Sequence, residues 1–537
     1  MKRYLLITVF LFTLISIKAI AGDNIYWIQF NTKQGTPYSV EQPGGFLSPR
    51  SIDRRLRQGI EIDSTDLPVN PAFTDSMCSM GFHIKHTSRW MNGAVALYPD
   101  SLGVDSLSLP SFVSFIKLRK GIPVKSTTRK FDEMDSLTAD YYGSSADQLA
   151  ILNGQLVHNY SKGEGVVIAV LDAGFQNADK LEVFDSLYAR GGVLGTYDFV
   201  NPGNNVYNEY YHGTSVLSVM AADQPGKMVG TAPYAMYWLL RSEDVATEYP
   251  VEEDYWIVAA EFADSAGCDV INTSLGYTTF YNSAFNHTYG QFTGDSLRIS
   301  KAANMAVKKG IVVVCSAGNE GANAWHYISA PSEARDVLSI AAVDNSGVIA
   351  GFSSRGFGDS VAVLKPDVAA VGSGTAIVSA SGGYTHGSGT SFSSPVIAGM
   401  AACMVGIYPD STASSIIRMI RQAGDRYPEH SDDYGYGIPD FSKCLQKKDT
   451  SSPEISSSGT IWVYPNPFDT YIHISDPSKV DMLELFLPDG HRVLKATKGN
   501  PVLYGVSSAS LAGLQKGIYF ARIQRGASVQ TIKLIRK

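Results

Sequence analysis

The stretch "GVVIAVLD" at residues 165–172 decides the fold, because it is apolar throughout and ends in a single aspartate. Four further runs of this kind follow it and alternate with helical stretches such as 255–265 and 300–309. These runs are "YAMYWLLR" (234–241), "CDVINTSLG" (268–276), "GIVVVCSAGN" (310–319) and "VLSIAAVD" (337–344). Strands that are apolar on both faces and separated by helices are typical of a parallel sheet covered on two sides. The sequence therefore predicts a doubly wound, mostly parallel α/β domain.

Chemistry in such a sheet is expected beyond the carboxyl ends of the strands, where open α/β sheets bind their ligands. Asp172 supplies a carboxylic acid at one of these ends, and Asn319 supplies an amide at another. Ser274, Leu275 and Gly276 supply a segment whose backbone is free to bind a ligand. Because parallel strands end at a common edge, we expect these groups to lie together.

A second informative stretch is "HGSGTSFSSPVIAGMAA" at residues 386–402, which joins a serine cluster to an apolar helical pattern. We interpret Pro395 as a first-turn residue, where a missing N–H costs no hydrogen bond. The helix is then predicted to begin near Thr390 or Ser391. Ser391 would lie at the positive end of the helix dipole, which suits a nucleophile whose own N–H stabilises an oxyanion.

A base for that serine is available in "YYHGTSVLSVMA" (210–221), where His212 heads another helix rich in small residues. Asp172, His212 and Ser391 would complete a catalytic triad, and the Asn319 amide would act as a second oxyanion donor. Taken singly, such residues are more often caps or turn residues than catalytic groups. Their combination, in the order Asp, His, Asn, Ser, favours the catalytic interpretation.

The motifs "VIAVLDAGF", "HGTSV", "INTSLGY", "SAGNEG" and "GSGTSFSSPVIAG" resemble those of the subtilisin-like serine proteases and stand in that family's order. The resemblance implies Asp172, His212 and Ser391 as the triad. It implies Asn319 as the oxyanion donor. It also implies an edge on which a peptide substrate pairs as an added strand, formed by Ser274, Leu275, Gly276, Ala317 and Gly318.

Two places depart from the family pattern. Ala173 follows the aspartate where Ser or Thr is usual, so one supporting hydrogen bond is expected to be missing. Phe392 and Ser393 replace the commoner Met and Ala. Neither change removes a catalytic group, so we expect an active enzyme. His212 and Asn319 argue against the related sedolisins, which use a glutamate and an aspartate at these places.

Composition and the N-terminus point to an exported protein. The 537-residue chain has a net charge of −7, which argues against a nucleic-acid partner. Lys2 and Arg3, an apolar run and "AIA" at its end predict a signal peptide over residues 1–21; a retained membrane anchor is the alternative. Five cysteines predict no disulfide framework, although one pair stays open, and Cys315 and Cys403 are predicted to be buried.

The block that follows, residues 22–145, is predicted to be an α+β domain. Its expected elements are the strands "NIYWIQF" and "GAVALYP" and a helix with Ser48 as cap, Pro49 first and Gly59 after its end. The polar stretch 119–142 is predicted to be an exposed connector. The block resembles the propeptides of secreted subtilases, which implies a folding aid and inhibitor that is cut off on maturation. A permanent accessory domain is the alternative, and intact-mass analysis of the mature protein separates the two.

The C-terminal part is predicted to hold a linker at 447–459 and a small β-sandwich at 460–537. "VYPNPF" (463–468), "KGIYFARI" (516–523) and the basic end "TIKLIRK" are similar to the C-terminal sorting domains of type IX secretion. The similarity implies a Gram-negative host and a product that is released or held on the outer-membrane surface. A carbohydrate-binding or adhesive β-module is the alternative.

These features together predict a secreted serine endopeptidase that is made as a zymogen, with its catalytic domain at 146–446, and that forms an acyl-enzyme on protein or peptide substrates. The competing class is an adhesin or scaffold on an inactive protease fold. We expect a monomer that contacts its own propeptide and the secretion machinery and requires no cofactor. Structural calcium is common in the family, but acidic clusters such as Asp432-Asp433 assign no ligand set. The loops 277–295 and 321–330 are expected to shape the pocket for the residue before the scissile bond.

Overall fold

The computed structural model describes the chain in eleven ranges: 23–99, 103–121, 133–134, 141–358, 363–445, 463–464, 473–474, 480–487, 491–497, 514–526 and 528–536. The chain divides into two compact units, Met1–Lys448 and Asp449–Lys537. The signal peptide predicted at 1–21 and the linker predicted at 447–459 lie outside the described residues.

The N-terminal block folds as a four-stranded antiparallel sheet with two helices. Its elements are β1 (Asp23–Phe30), α1 (Pro49–Gln58), α2 (Pro71–Ser79), β2 (His83–Ser88), β3 (Gly93–Pro99) and β4 (Val113–Lys120), in the sheet order β2-β3-β1-β4. The predicted helix α1 is confirmed, with the Ser48 side chain accepting from the N–H of Ser51 and Pro49 as its first residue. Gly59 ends it in the left-handed conformation, at φ 67°.

The interpretation of 119–142 as an exposed connector is wrong at its start. Arg119 and Lys120 are the last residues of β4, and Arg119 is 6% exposed. The Arg119 guanidinium donates to Asp254 Oδ2 at 2.6 Å and to Glu253 Oε2 at 3.0 Å. These acidic partners lie about 135 residues further along the chain, so local sequence alone could not reveal them.

The central part of the first unit contains the predicted parallel sheet. Its elements are β5 (Glu133–Met134), α3 (Ala146–Ala150), α4 (Gly154–Val157), β6 (Val167–Asp172), α5 (Asp185–Ala189), β7 (Val193–Asp198), α6 (His212–Ala221), β8 (Asp223–Gln224), β9 (Met228–Val229), β10 (Met236–Arg241), α7 (Val251–Ala266), β11 (Val270–Thr273), α8 (Arg298–Lys308), β12 (Val312–Ser316), β13 (Leu338–Val343), β14 (Val368–Val371), β15 (Ser373–Val378), β16 (Tyr384–Ser388), α9 (Thr390–Ile407), α10 (Ala413–Ala423) and α11 (Ser442–Leu445). The seven-stranded sheet has the order β14-β13-β12-β11-β6-β10-β7, and every neighbouring pair in it is parallel. The α/β fold is confirmed.

Helices pack on this sheet in two groups. α9 lies against β11, β12, β13 and β14 and also packs on α6, while α7 packs on α8 and on β6. Among the described helices, α9 alone is long and apolar enough to cross a membrane, but most of it is buried inside the unit, which makes it a core helix. The doubly wound arrangement therefore delivers the first residues of α6 and α9 to the edge where β6, β11 and β12 end.

The five cysteines all lie in the described residues, and none of them is in a disulfide. Cys315 on β12 and Cys403 on α9 are buried, as predicted, and Cys78 is exposed. Burial raises the pKa of the Cys315 and Cys403 thiols, so both behave as small core residues.

The C-terminal unit consists of antiparallel sheets. Its strands are β17 (Val463–Tyr464), β18 (His473–Ile474), β19 (Met482–Phe486), β20 (Arg492–Thr497), β21 (Gly517–Arg525) and β22 (Ser528–Arg536). β17 pairs with β18, and the other four form a sheet in the order β20-β19-β21-β22. Side chains of β19 and β21, among them Leu483, Leu485 and Ile523, form its core. The antiparallel strands expected of the C-terminal β-sandwich are confirmed in the described residues, and the sandwich itself stays a prediction.

Candidate active site

The carboxylate of Asp172 and the imidazole of His212 form a buried pair. Asp172 is the last residue of β6 and His212 is the first residue of α6. Asp172 Oδ1 lies 2.8 Å from His212 Nδ1 and also accepts from the N–H of Ala173 at 2.7 Å. The two side chains are 0% and 2% exposed. The hydrogen bond to Oδ1 orients the ring and leaves Nε2 as the nitrogen for proton transfer.

Close approach between α6 and the end of β6 depends on a glycine. A Cβ built on Gly213 would lie 2.4 Å from the carbonyl oxygen of Gly174 and 3.0 Å from Asp172 Cβ. A side chain at position 213 would therefore push the histidine away from its carboxylate. The pair "HG" in the sequence therefore combines His212, the candidate base, with a glycine that the packing requires.

The two oxygens of the Asp172 carboxylate differ in their hydrogen bonds. Asp172 Oδ2 is buried and has no hydrogen-bond partner among the residues that the structure describes. Ala173, whose side chain cannot donate, stands where the sequence comparison expected Ser or Thr.

The candidate nucleophile Ser391 is the second residue of α9 and is 3% exposed. Its hydroxyl donates to the carbonyl oxygen of Ser274 at 3.3 Å, and the Ser274 hydroxyl donates to the carbonyl oxygen of Ser391 at 2.8 Å. This reciprocal serine pair ties the start of α9 to the segment that follows β11. It places Ser391 beside the expected substrate edge.

The predicted start of α9 is confirmed, but the argument from Pro395 is wrong. Pro395 is the sixth residue of the helix and lies beyond its first turn. Its missing N–H therefore leaves the carbonyl oxygen of Ser391, four residues earlier, without its usual intrahelical donor. The Ser274 hydroxyl takes that place. The proline thus frees the carbonyl of the candidate nucleophile Ser391, and the Ser274 side chain binds it.

The amide of Asn319 has a fixed orientation. Its Oδ1 accepts from the N–H of Thr390 at 2.9 Å and from the Thr390 hydroxyl at 3.0 Å. Because a backbone N–H can only donate, Oδ1 must face Thr390 and Nδ2 must point away from it. The Thr390 hydroxyl also accepts from the N–H of Gly318 at 3.1 Å, which holds the loop after β12 against the start of α9.

Gly389 leaves open the space in front of that amide. A Cβ built on Gly389 would lie 3.6 Å from Asn319 Nδ2 and 3.7 Å from the backbone nitrogen of Ser391. The φ of +155° at this residue also disfavours other side chains. Two hydrogen-bond donors, Asn319 Nδ2 and the backbone N–H of Ser391, therefore border one small space beside Gly389. This is the arrangement that an oxyanion hole requires.

The structure brings the four predicted catalytic residues to one edge of the sheet. Asp172 bonds to His212, and the His212 ring lies 5.9 Å from the ring of Phe392, the neighbour of Ser391. Asn319 is fixed to Thr390, the other neighbour of Ser391. The contacts connect the ends of β6 and β12 to the first turns of α6 and α9.

The five residues of the expected substrate edge differ in accessibility. Ser274 and Leu275 are buried, Gly276 is exposed, and Gly318 is half-buried. Ala317 is fully buried, its N–H donates to the carbonyl of Ile340, and its carbonyl accepts from the N–H of Ser329. The open backbone of this edge is therefore at Gly276 and Gly318.

Sequence reasoning missed what three residues do at the site, although it gave Gly389 as a small residue that permits close approach of the backbone. Thr390 fixes the Asn319 amide, and Gly389 keeps the space beside it open. Ser329 lies close to both Gly276 and Gly318. A Cβ built on Gly276 would lie 2.1 Å from Ser329 Oγ, and a Cβ built on Gly318 would lie 3.0 Å from the same atom. The letters "SGT" before Ser391 belong to a recognisable motif, so the sequence offered a signal for Gly389 and Thr390. Ser329 lies in a stretch without a motif.

A candidate cation site lies on the segment that follows β10. Glu243, Glu248 and Glu252 each offer a carboxylate oxygen, and these oxygens lie within 4.8 Å of one another. Carboxylate oxygens are ligands that calcium accepts. The cluster suggested by the sequence serves other contacts, since Asp433 pairs with Arg355 and Asp432 Oδ1 accepts from the N–H of Gly358.

Comparison with known proteins shows the family to which the chain belongs. The sequence profile described as the subtilase family matches residues 163–437, about half of the chain and most of the unit that holds the site. The chain belongs to the subtilase family. It is a subtilisin-type serine peptidase, as the sequence motifs predicted.

Several bacterial proteases are similar to this subtilase. Subtilisin E of Bacillus subtilis (strain 168) is 27% identical over 329 residues, which cover 60% of this chain and 77% of that protein. A subtilisin of Bacillus pumilus is 28% identical over 311 residues, covering 57% and 98%. The crystal structure of MycP1 from the ESX-1 type VII secretion system is 21% identical, with a TM-score of 0.47 and coverage of 62% and 93%.

The flanking parts of the subtilase also match described domains. Residues 25–133 match the peptidase S8 propeptide domain of Bacteroidota, and residues 462–537 match the secretion system C-terminal sorting domain. The protein is therefore a secreted or cell-surface protease with a propeptide and a type IX sorting tail. The three-part organisation that the motifs implied is confirmed at this level.

Proposed function

We propose that this subtilase is an endopeptidase that cleaves peptide bonds through Asp172, His212 and Ser391, with an acyl-enzyme intermediate. The observation that carries the proposal is the buried bond between Asp172 and His212 at the edge where α9 presents Ser391. The oxyanion donors are Asn319 Nδ2 and the backbone N–H of Ser391, which border the space beside Gly389.

The mechanism follows from these contacts. The Ser391 hydroxyl turns from the carbonyl of Ser274 toward His212 Nε2, gives up its proton to the ring, and its oxygen bonds to the substrate carbonyl carbon. The carbonyl oxygen becomes an oxyanion and is stabilised by the two donors. The C–N bond then breaks, and the leaving amine takes the proton from His212. Water repeats the sequence on the acyl-enzyme and releases the acid.

The block 22–145 is proposed to inhibit the enzyme as its own propeptide until it is removed. The support is a charged interface, in which Asp264 on α7 forms ion pairs with Arg54, Arg55 and Arg89 of the block. Burial would raise the pKa of Asp264, but the arginines hold it below its ordinary value. Buried pairs of this kind fix orientation more than they add affinity.

The remaining boundaries are proposed as the sequence gives them: a signal peptide at 1–21, a catalytic domain at 146–446, a linker at 447–459 and a sorting domain at 460–537. The mature enzyme is proposed to act as a monomer on protein or peptide substrates, outside a Gram-negative cell or on its outer membrane. The sorting domain would engage the secretion machinery. Catalysis requires no metal in this mechanism, and any calcium would be structural.

A fluorophosphonate probe tests the proposal directly. Such a probe phosphonylates an activated serine with loss of fluoride, so we expect wild-type enzyme to carry it on Ser391, as located by peptide mass spectrometry. His212→Ala removes the base and is expected to abolish labelling. Labelling of a different residue, or equal labelling of His212→Ala, contradicts the triad.

The unsatisfied oxygen of Asp172 gives a second prediction. Ala173→Thr adds a hydroxyl that can donate to Oδ2, whereas Ala173→Val adds a similar shape without a donor. We expect the Thr variant to exceed the Val variant in free energy of unfolding by about 1–3 kcal/mol, because a buried oxygen gains its hydrogen bond. Urea denaturation in a Ser391→Ala background, which excludes self-digestion, measures the difference. Equal stability of the two variants would show that Oδ2 does not lack a donor.

A further inference from the structure

The loop between β10 and α7, residues 242–250, borders the cleft next to the triad. The N–H of Ser242 donates to the carbonyl of Asp172 at 3.0 Å. On the other side, the Tyr277 hydroxyl donates to Glu243 Oε2 at 2.8 Å. The loop therefore bridges the end of β6 and the segment that follows the substrate edge.

A lysine of the N-terminal block is bound on this loop. Lys120 Nζ donates to Asp244 Oδ2 at 3.1 Å and to Thr247 Oγ1 at 3.0 Å, and it lies 5.8 Å from the centre of the Tyr249 ring. The Thr247 hydroxyl donates to Asp244 Oδ2 at 2.9 Å. A carboxylate, a hydroxyl and an aromatic face thus surround one ammonium group.

The direction of the chain shows which side of the cleft this is. β4 ends at Lys120, on the 242–250 loop. Further along the chain, Glu133–Met134 pairs with β16, the strand that leads into α9. A substrate that ran from the first of these contacts to the second would meet the 242–250 loop with its N-terminal side and β16 with its C-terminal side.

The charge of the loop favours a cation. Glu243, Glu248 and Glu252 bring three more carboxylates to the same segment, with oxygens within 4.8 Å of one another, and Glu252 Oε1 lies 3.5 Å from the Thr247 hydroxyl. Burial would raise the pKa of Asp244, but Lys120 and the neighbouring hydrogen bonds hold it below its ordinary value. When the propeptide leaves, it takes Lys120 with it, and the acceptors of the loop remain.

We propose that Asp244, Thr247 and Tyr249 form a subsite of the substrate cleft that binds a Lys or Arg side chain upstream of the scissile bond. The inference rests on the proposed peptidase function and names a substrate class for it. Lys120 fills the subsite in the zymogen, so the propeptide competes there with a basic substrate.

Processed enzyme and a peptide series test the subsite. Each fluorogenic peptide carries one Lys in an otherwise neutral sequence, and the Lys is moved through the upstream positions; parallel series carry norleucine or Glu. We expect one position at which Lys raises kcat/KM by about 5- to 20-fold over norleucine and Glu lowers it, which is the range for one partly exposed, charge-assisted contact. The ratio should shrink in high salt.

Variants of Asp244 identify the residue responsible. In Asp244→Asn the Lys-to-norleucine ratio is expected to fall to about 1, and in Asp244→Lys the preference should turn to Glu. Asp410→Asn removes an equal charge from an exposed loop after the far end of α9 and should keep the wild-type ratio.

The outcomes separate the two proposals. A wild-type enzyme that cleaves all peptides equally, or an Asp244→Asn variant that keeps the Lys preference, overturns the subsite alone. A wild-type enzyme that cleaves no peptide overturns the proposed function, and the subsite with it.

Discussion

Ser391→Ala is expected to abolish peptide hydrolysis, with a loss in kcat on the order of 10⁶-fold, the scale measured for removal of the serine in a subtilisin. The variant keeps the α9 backbone and its bond from the Ser274 hydroxyl, because that bond uses the carbonyl of residue 391. It removes the oxygen that forms the acyl-enzyme. Initial rates on casein, measured against wild type at equal protein concentration, give the result.

Ser393→Ala is the matched control for this experiment. Ser393 is also buried in the first turns of α9, and its hydroxyl donates to the carbonyl of Thr390 at 3.1 Å. Alanine is the commoner residue at this place in the family, so activity should stay within about tenfold of wild type. If Ser391→Ala cleaves casein as fast as wild type, Ser391 is not the nucleophile.

Asn319→Ala is expected to lower kcat by about 10²–10³-fold with little change in KM. The figure is borrowed from the oxyanion asparagine of a subtilisin, and the physical reason is that Nδ2 bonds to charge that develops only in the transition state. Steady-state kinetics on one fluorogenic peptide separate the two constants. A comparable rise in KM with unchanged kcat would point to ground-state binding instead.

Asn319→Asp tests the oxyanion donor Nδ2 separately from the hydrogen bond that anchors residue 319 to Thr390. The aspartate can still accept from the N–H of Thr390, so the loop stays anchored, but no oxygen of the carboxylate can donate to an oxyanion. We expect a loss at least as large as in Asn319→Ala. Near-wild-type kcat in Asn319→Asp would remove Asn319 from the oxyanion hole.

The parts of the fold that the sequence predicted are those governed by local periodicity. Apolar runs such as 165–172 and 310–319 could only be buried strands, and their ends carry Asp172 and Asn319 where the structure has them. Helix α1 was predictable because its cap, first proline and final glycine are all local signals.

The parts that the sequence could not predict depend on contacts between distant segments. Arg119 is buried because it forms ion pairs with Glu253 and Asp254 on α7, and the sequence around Arg119 does not predict these partners. The role of Pro395 was misjudged for a local reason, since a helix that begins at Thr390 already places this proline beyond the first turn. The donor that replaces its N–H could not be predicted, because it belongs to Ser274, 117 residues earlier than the carbonyl it binds.

The reciprocal serine pair gives the carbonyl of Ser274 two rival donors. In the structure that oxygen accepts the hydrogen bond from the Ser391 hydroxyl. In the proposed mechanism, a substrate strand added along residues 274–276 would offer its own N–H to the same oxygen, and the hydroxyl would then be released to turn toward the His212 imidazole. The proposed nucleophile would thus face its base only when a substrate is bound.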